Sequence, residues 1–238
     1  MSPDTIICWR WRPAVGYRSK FPPESVRILR NMVKRHYDKP HRFLCVTDHP
    51  EEIDPDIETL QLWDEWGDIP SPHGGHNPSC YRRLKMFSPE AGKLFKSARW
   101  VSLDLDTVIL RDVAPLWDRP EDFVMWGETD PRSYYNGSMT LMTAGARPQV
   151  WEKFNPLTSP KEAKAAGRFG SDQGWISHIL GPGEATWKPR DGVLSFRIHL
   201  KNGILPPPQH ARIVMFHGGT DPDSPRGQRI PWVKGNYK

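Results

Sequence analysis

Cysteine is scarce, with only Cys8, Cys45 and Cys80 in 238 residues. Three thiols close no disulfide framework, so a reducing, cytoplasmic setting is expected. No run approaches 18 consecutive apolar residues, which excludes a transmembrane helix. Met1 to Arg12 has no basic stretch leading into a long apolar run, so no signal peptide is expected. RGG, RNP and helix-turn-helix patterns are missing, so no motif supports nucleic acid, the least expected of the anionic partners. There is no internal repeat and no linker, so residues 1–238 are expected to form one domain. The apolar fraction, 37%, is lean and implies an adequate core rather than a rich one.

Three features are present in excess: 25 Pro, 11 Trp and a net charge of +5. The prolines, with 19 Gly, predict long ordered loops and exclude a helical bundle or coiled coil. The charge is segregated. Arg10 to Arg42 holds ten basic and two acidic residues, whereas Phe43 to Pro70 holds nine acidic residues and no Lys or Arg. Ala185 to Lys238 returns to nine basic against three acidic. Basic ends around an acidic middle imply an anionic partner: nucleic acid, a phosphorylated small molecule or an acidic membrane.

The chain opens β-α-β. Thr5 to Trp11 reads as a buried strand, Glu24 to Tyr37 as a helix between prolines, and His41 to Thr47 as a second strand. Ile57 to Leu62 follows as a third strand, favouring an α/β fold with a mostly parallel sheet. Tyr81 to Phe87 reads as a short helix. Ser88-Pro89 then reads as cap and first residue of another, ending at Phe95. Arg99 to Leu103 is a strand that Thr107 to Leu110 is expected to continue. Asp122 to Glu128 and Met139 to Thr143 are expected strands around a Tyr-Tyr-Asn-Gly turn. Pro148 to Phe154 and Asp172 to Leu180 are expected helices, and Val193 to Ile198 and Arg212 to Phe216 close the sheet.

The sharpest chemical signal is Asp104-Leu105-Asp106 after a buried strand. Residues i and i+2 of an extended chain share a side. Two carboxylates there call for a divalent cation or a basic cluster, unless they simply serve turns and caps. Tyr81-Arg82-Arg83-Leu84-Lys85 lies upstream, with Asn136-Gly137-Ser138, Ser171-Asp172-Gln173 and His217-Gly218-Gly219 downstream. His73, His76 and Cys80 have zinc-like spacing without an evident fourth ligand.

In that order, over roughly residues 5 to 220, these elements resemble the GT-A glycosyltransferases, and among them the family 8 retaining enzymes of the glycogenin and lipopolysaccharide galactosyltransferase group. The resemblance implies a single Rossmann-like α/β domain and a nucleotide-diphosphate-sugar donor, by family habit a UDP-sugar. It implies Mn²⁺ or Mg²⁺ on Asp104, Asp106 and His217, a ligand set suited to such ions. Asp106 or its neighbour would also face the donor ribose. It places Arg83, with Lys85 as a second cation, on the donor sugar or phosphate. Asp172 would take sugar hydroxyls and Gln173 would sit near the anomeric carbon. Asn136 and Gly137 match the family's Asn-Ala-Gly segment in part, and the pair is equally a hairpin signal. By fold analogy Trp9, Arg10, Trp11 and Arg12 offer stacking and charge to the base near Thr47 and Asp48, although the tryptophans fit a core equally well. One departure stands out. The family's closing His-x-x-Gly-x-x-Lys becomes His217, Thr220 and Asp223, leaving Gly218 and, as the nearest downstream cation, Arg226 for the diphosphate. The acceptor stays open. So do the alternatives of a nucleotide-sugar hydrolase, a nucleotidyltransferase and a nucleotide- or glycan-binding module. A pyrophosphorylase-type Gly-rich loop near residue 10 is missing, against the nucleotidyltransferase.

Overall fold

The structure, a computed structural model, describes residues 1–12, 21–73 and 80–238, with the side chains of Glu128 and Thr129 left aside. In chain order the strands are β1 (Thr5–Arg10), β2 (Arg42–Thr47), β3 (Glu58–Gln61), β4 (Arg99–Leu103), β5 (Thr107–Ile109), β6 (Phe123–Asp130), β7 (Ser133–Thr143), β8 (Ala185–Trp187), β9 (Val193–Ser195) and β10 (Ile213–Met215). The α-helices are α1 (Pro23–His36), α2 (Ala91–Phe95), α3 (Ala114–Trp117), α4 (Gln149–Glu152), α5 (Ser159–Ala165), α6 (Asp172–Leu180), α7 (Pro225–Gln228) and α8 (Pro231–Asn236). A 3₁₀ segment spans Cys80–Phe87.

Among the described residues the main sheet runs β3-β2-β1-β4-β7-β6-β8. Pairing is parallel among β3, β2, β1 and β4, antiparallel from β4 through β7 to β6, and parallel again at β8. Both faces of β1 are covered, which is why TIICW is an unbroken apolar run. Its period-2 alternation sends Ile6 and Cys8 into one core and Ile7 and Trp9 into another. The first core receives Val26, Leu29, Met32 and Val33, the buried stripe of α1. Lys34, Arg35 and His36 in its last turn suit the negative end of the helix dipole. The second core holds Trp9, Trp100 and Trp175, the first also Trp117, Trp126 and Trp187, so six of the tryptophans are core residues.

β1 connects outward to β2, and β4 lies on its other side. This reversal opens a crevice beyond the carboxyl ends of β1 and β4, the usual ligand position in open α/β sheets. Asp104 is the first residue beyond β4.

Four expectations are corrected. Thr107 to Leu110 does not continue β4. β5 leaves the main sheet to pair antiparallel with β10, which pairs parallel with β9, so the last strands form a second, three-stranded sheet instead of closing the first. Asp104 and Asp106 mark the crossing between sheets. Tyr-Tyr-Asn-Gly is not a turn. It lies inside β7, where the register against β6 shifts from Met125↔Thr140 to Trp126↔Asn136, and the reversal falls at Asp130–Ser133. Asn136-Gly137-Ser138 is thus an irregular, bulged stretch, a feature that re-aims strands beside functional sites. Ser88-Pro89 does not start a helix. Ser88 is buried in a turn, its N–H on the Lys85 carbonyl at 3.1 Å, and α2 begins at Ala91 after Glu90. α3, α5, β8, α7 and α8 are additional to the expected elements.

Candidate functional site

The 3₁₀ segment Cys80–Phe87 carries Arg83 to the crevice. Its guanidinium joins two carboxylates from opposite directions. Nε donates to Asp172 Oδ2 at 2.8 Å and Nη1 to Asp104 Oδ1 at 2.7 Å, with Nη2 also 2.8 Å from Asp172 Oδ2. The Arg83 and Asp172 side chains are 11% and 5% exposed, whereas Asp104 retains 29%. Burial pulls the Arg83 proton affinity down, but the charges of Asp172 and Asp104 outweigh it and hold the group above its ordinary range. Asp104 moves up, burial outweighing Arg83 and a hydrogen bond from Ser138. Cys80 is pushed well up by burial and then by the neighbouring Asp172 charge, so it is no thiolate.

The bulge of β7 closes the wall. Gly137 N–H donates to Gln173 Oε1 at 3.3 Å, and Ser138 N–H donates to Asn136 Oδ1 at 2.9 Å. The Asp104 N–H donates to the Ser138 carbonyl at 3.0 Å. A Cβ on Gly137 would stand 3.0 Å from Arg83 Nη2 and 3.7 Å from Asp172 Oδ2, so the glycine is there for close approach. Arg83, Asp104, Asn136, Gly137, Asp172 and Gln173 therefore meet, from four separate stretches of chain. Ser171 stands at the N-cap of α6, but its hydroxyl makes no cap bond. Asp172 Oδ1 accepts from Gln173 N–H at 2.9 Å instead.

Asp106 and His217 lie at the edge of the second sheet, where the Phe216 N–H donates to the Asp106 carbonyl at 2.9 Å. Asp106 is 9% exposed. His217 Nε2 is 2.7 Å from Ser195 Oγ, and its ring stands edge-on to Trp126 at 5.2 Å. Two carboxylates and an imidazole are a donor set suited to a hard or borderline divalent ion. In these side-chain positions, however, Asp104 faces Arg83 and His217 faces Ser195. Among the described residues the one metal-ligating trio with donor atoms all within 4.8 Å is His49, Glu51 and Glu52.

Other expected site residues are placed elsewhere. Trp9 is 5% exposed, its Nε1 donating to Ser102 Oγ at 2.7 Å and its ring edge-on to Trp63 and Phe95, so it packs the core and offers no stacking face. Trp11 is partly buried against the same core. Arg10 and Arg12 both bind Glu52, at 2.6 and 2.7 Å, and the Arg12 N–H reaches Asp48 Oδ2 at 3.1 Å. Thr47 is buried, its hydroxyl accepting from His49 N–H at 3.1 Å. Lys85 is turned from Arg83 by the 3₁₀ geometry and binds Glu65 at 2.8 Å over the Trp63 ring. Arg226 reaches toward the Asn202 carbonyl at 3.5 Å. Arg197 is instead the cation beside Gly218, its Cδ 3.3 Å and Nε 4.0 Å from where a Cβ on that glycine would lie. Sequence reading named Ser138 only within the Asn136-Gly137-Ser138 segment and missed Ser195 and Arg197, because only the pairing of distant strands brings these two near His217 and Gly218. His73 Nε2 meets the Arg168 carbonyl at 3.0 Å and Cys80 lies beside Asp172, while His76 lies outside the described residues.

No protein-family model matches the sequence, and neither does any curated protein sequence. Solved structures do resemble the chain. The galactosyltransferase LgtC, in complex with donor and acceptor sugar analogs, superposes with a TM-score of 0.62 at 12% identity, covering 97% of this chain and 95% of that one. An active-site mutant of LgtC, in which a glutamine is changed to glutamate, gives a TM-score of 0.60 at the same identity and coverage. The glycosyltransferase GlyE of Streptococcus pneumoniae TIGR4 gives 0.62 at 10% identity, covering 98% of this chain and 61% of that one. No helix among the described residues is long and apolar enough to cross a membrane. The chain has the GT-A-like glycosyltransferase fold.

Proposed function

We propose that residues 1–238 form one glycosyltransferase domain that moves a sugar from a nucleotide-diphosphate sugar, a UDP-sugar, to an acceptor with retention at the anomeric carbon. The observation that carries this reading is the meeting of Arg83, Asp104, Gly137, Asp172 and Gln173 in the crevice of a fold shared with sugar transferases. Asp172, held by Arg83, presents a fixed carboxylate to sugar hydroxyls. Gln173, on the first turn of α6, presents its amide where the reacting carbon would lie, and its contact with Gly137 N–H fixes that side chain. LgtC too has a glutamine in its active site, the one changed in its mutant, in keeping with this role.

Asp104, Asp106 and His217 would hold the divalent ion, Mn²⁺ or Mg²⁺, and their chemistry fits one. Bound there, such an ion neutralises charge on a diphosphate. Arg197, beside Gly218, offers the cation that the departure at Asp223 removes, better placed than Arg226. Arg10, Arg12 and Asp48 form the rim at the ends of β1 and β2, where the nucleoside would lie.

The test is a thermal-shift series of UDP-sugars with and without Mn²⁺, followed by assays of UDP and free-sugar release with and without acceptor. A dose-dependent rise in Tm that needs both components supports the reading, since a ligand of the folded state alone stabilises it. Absence of any shift and of any UDP release across the series overturns it. Equal release with and without acceptors assigns a hydrolase instead.

A further inference from the structure

A second concave site lies at the far pole of the small sheet. The β5–β10 ladder runs from Thr107↔Met215, at the Asp106 and His217 end, to Ile109↔Ile213. Beyond that second end lie Arg111 and Arg212, with the Leu110 N–H on the Arg212 carbonyl at 2.8 Å. Arg212 and His217 are thus separated along the strand by about 16 Å. Here a pocket of about 340 Å³ is walled by four arginines, 111, 119, 190 and 212. Pro115 and the buried Leu116 line its apolar part, and Gln209, His210 and Asp191 complete the lining.

The four guanidinium groups are not equally engaged. Arg119 is paired with Glu121. Arg212 donates to the Asp112 carbonyl and stands 3.9 Å from its carboxylate. Asp191 accepts from the Lys188 N–H at 2.8 Å. Among the described residues, Arg111 and Arg190 have no hydrogen-bond or ion-pair partner, and both are exposed. Glu121 and Asp112 answer Arg119 and Arg212, and Asp191 lies in the lining, which leaves the charges of Arg111 and Arg190 for an anion to neutralise. Planar guanidinium forks match the paired oxygens of a phosphate, which can accept from two arginines at once. The hollow exceeds an inorganic phosphate and lies at the small end of ligand pockets, leaving room for an ester group beside Gln209 and His210.

We propose that this pocket binds the phosphate group of a small phosphate ester, at a site separate from the crevice and independent of the transferase reading. The phosphate comes either from a soluble ester or from a lipid headgroup, and the probes separate these sources.

The experiment titrates the full chain with glycerol phosphate at matched ionic strength, and in parallel sediments it with phosphatidylcholine vesicles with or without phosphatidic acid. The variants are Arg111→Gln/Arg190→Gln and a control, Lys153→Gln/Lys161→Gln, which removes two exposed charges elsewhere. Saturable binding to glycerol phosphate, or to phosphatidic acid vesicles alone, is expected in the parent chain and the control. It should weaken at least about tenfold in the arginine variant. Binding of neither probe overturns the proposal. Equal weakening in the control, or unchanged binding in the arginine variant, does the same. Both arginines are exposed and partnerless among the described residues, so circular dichroism of their variant should match the parent.

Discussion

Arg83 and Asp172, 89 positions apart, are joined by two nitrogens on one carboxylate oxygen, Nε and Nη2 both 2.8 Å from Oδ2. Both side chains are nearly buried, so neither charge has water to fall back on. Arg83→Met strands Asp172 and is expected to cost about 3–5 kcal/mol in urea unfolding, as breaking one half of a buried pair does. Asp172→Asn should cost less, because Arg83 keeps Asp104. The double variant should cost less than the two singles together by about 1–3 kcal/mol. Strict additivity would show that the pair is not coupled.

Gly137 allows Arg83 its position. Gly137→Ala places a methyl 3.0 Å from Nη2 of a side chain that two carboxylates hold in place. The guanidinium must give by a few tenths of an ångström, at an expected cost of about 1 kcal/mol. Transfer should fall at least about tenfold, since a displacement at a reacting site costs more in rate than in stability. Full activity with unchanged Tm would show Arg83 to be free to move.

Much of this architecture was legible where the determinants are local. The proline bracket around α1, the continuous apolar run of β1 and the acidic start of α6 each lie within a few residues of the feature they cause. The site residues carried by family motifs, Arg83, Asp104, Asp172 and Gln173, are found together in the structure. What was not legible depends on distant partners. Thr107 to Ile109 is as apolar as β4, and only pairing with Ile213 to Met215 moves it to a second sheet. Asn136-Gly137 satisfies a hairpin and a bulge equally, and the sheet register decides for the bulge. Trp9 could stack a base or fill a core, and the Ser102 hydroxyl beneath its ring nitrogen decides for the core.

The C-terminal loop offers a choice between two arginines. If Arg197 serves the diphosphate, Arg197→Gln should raise the KM for the donor about tenfold, the loss of one charged hydrogen bond. Arg226→Gln should change it less than about twofold, because that side chain reaches toward the Asn202 carbonyl. Donor titrations of the two variants check this. The reverse order would restore Arg226 to the role.

The metal assignment rests on Asp104, Asp106 and His217. Asp104→Asn and Asp106→Asn should each abolish the Mn²⁺-dependent part of the thermal shift. Transfer should fall at least about a hundredfold, as expected when several kcal/mol of charge stabilisation are removed. Asp104→Asn also removes a carboxylate whose burial penalty lifts its proton affinity. The folded state then no longer loses stability as pH rises through the range where Asp104 ionises. The metal-free variant should be at least as stable as the parent at neutral pH, relative to its own value at low pH. Full activity in either variant would remove the metal assignment while leaving the fold untouched.

Glu52 makes the rim of the crevice pH-sensitive. Hydrogen bonds from Arg12 and then Arg10 hold its carboxyl at about 2, against an ordinary 4.5. A depressed carboxyl pKa contributes fully above the ordinary value, where both folded and unfolded chains are ionised. As pH falls from about 4.5 to about 2, the unfolded chain takes up its proton first and the contribution is lost. Glu52→Gln should therefore flatten the stability curve in that window and nowhere else. A carboxyl carbon NMR titration of the parent chain checks the cause directly. A midpoint near the ordinary glutamate value would mean that Arg10 and Arg12 do not hold Glu52 in solution, and the rim would then present two freely moving cations to a nucleotide.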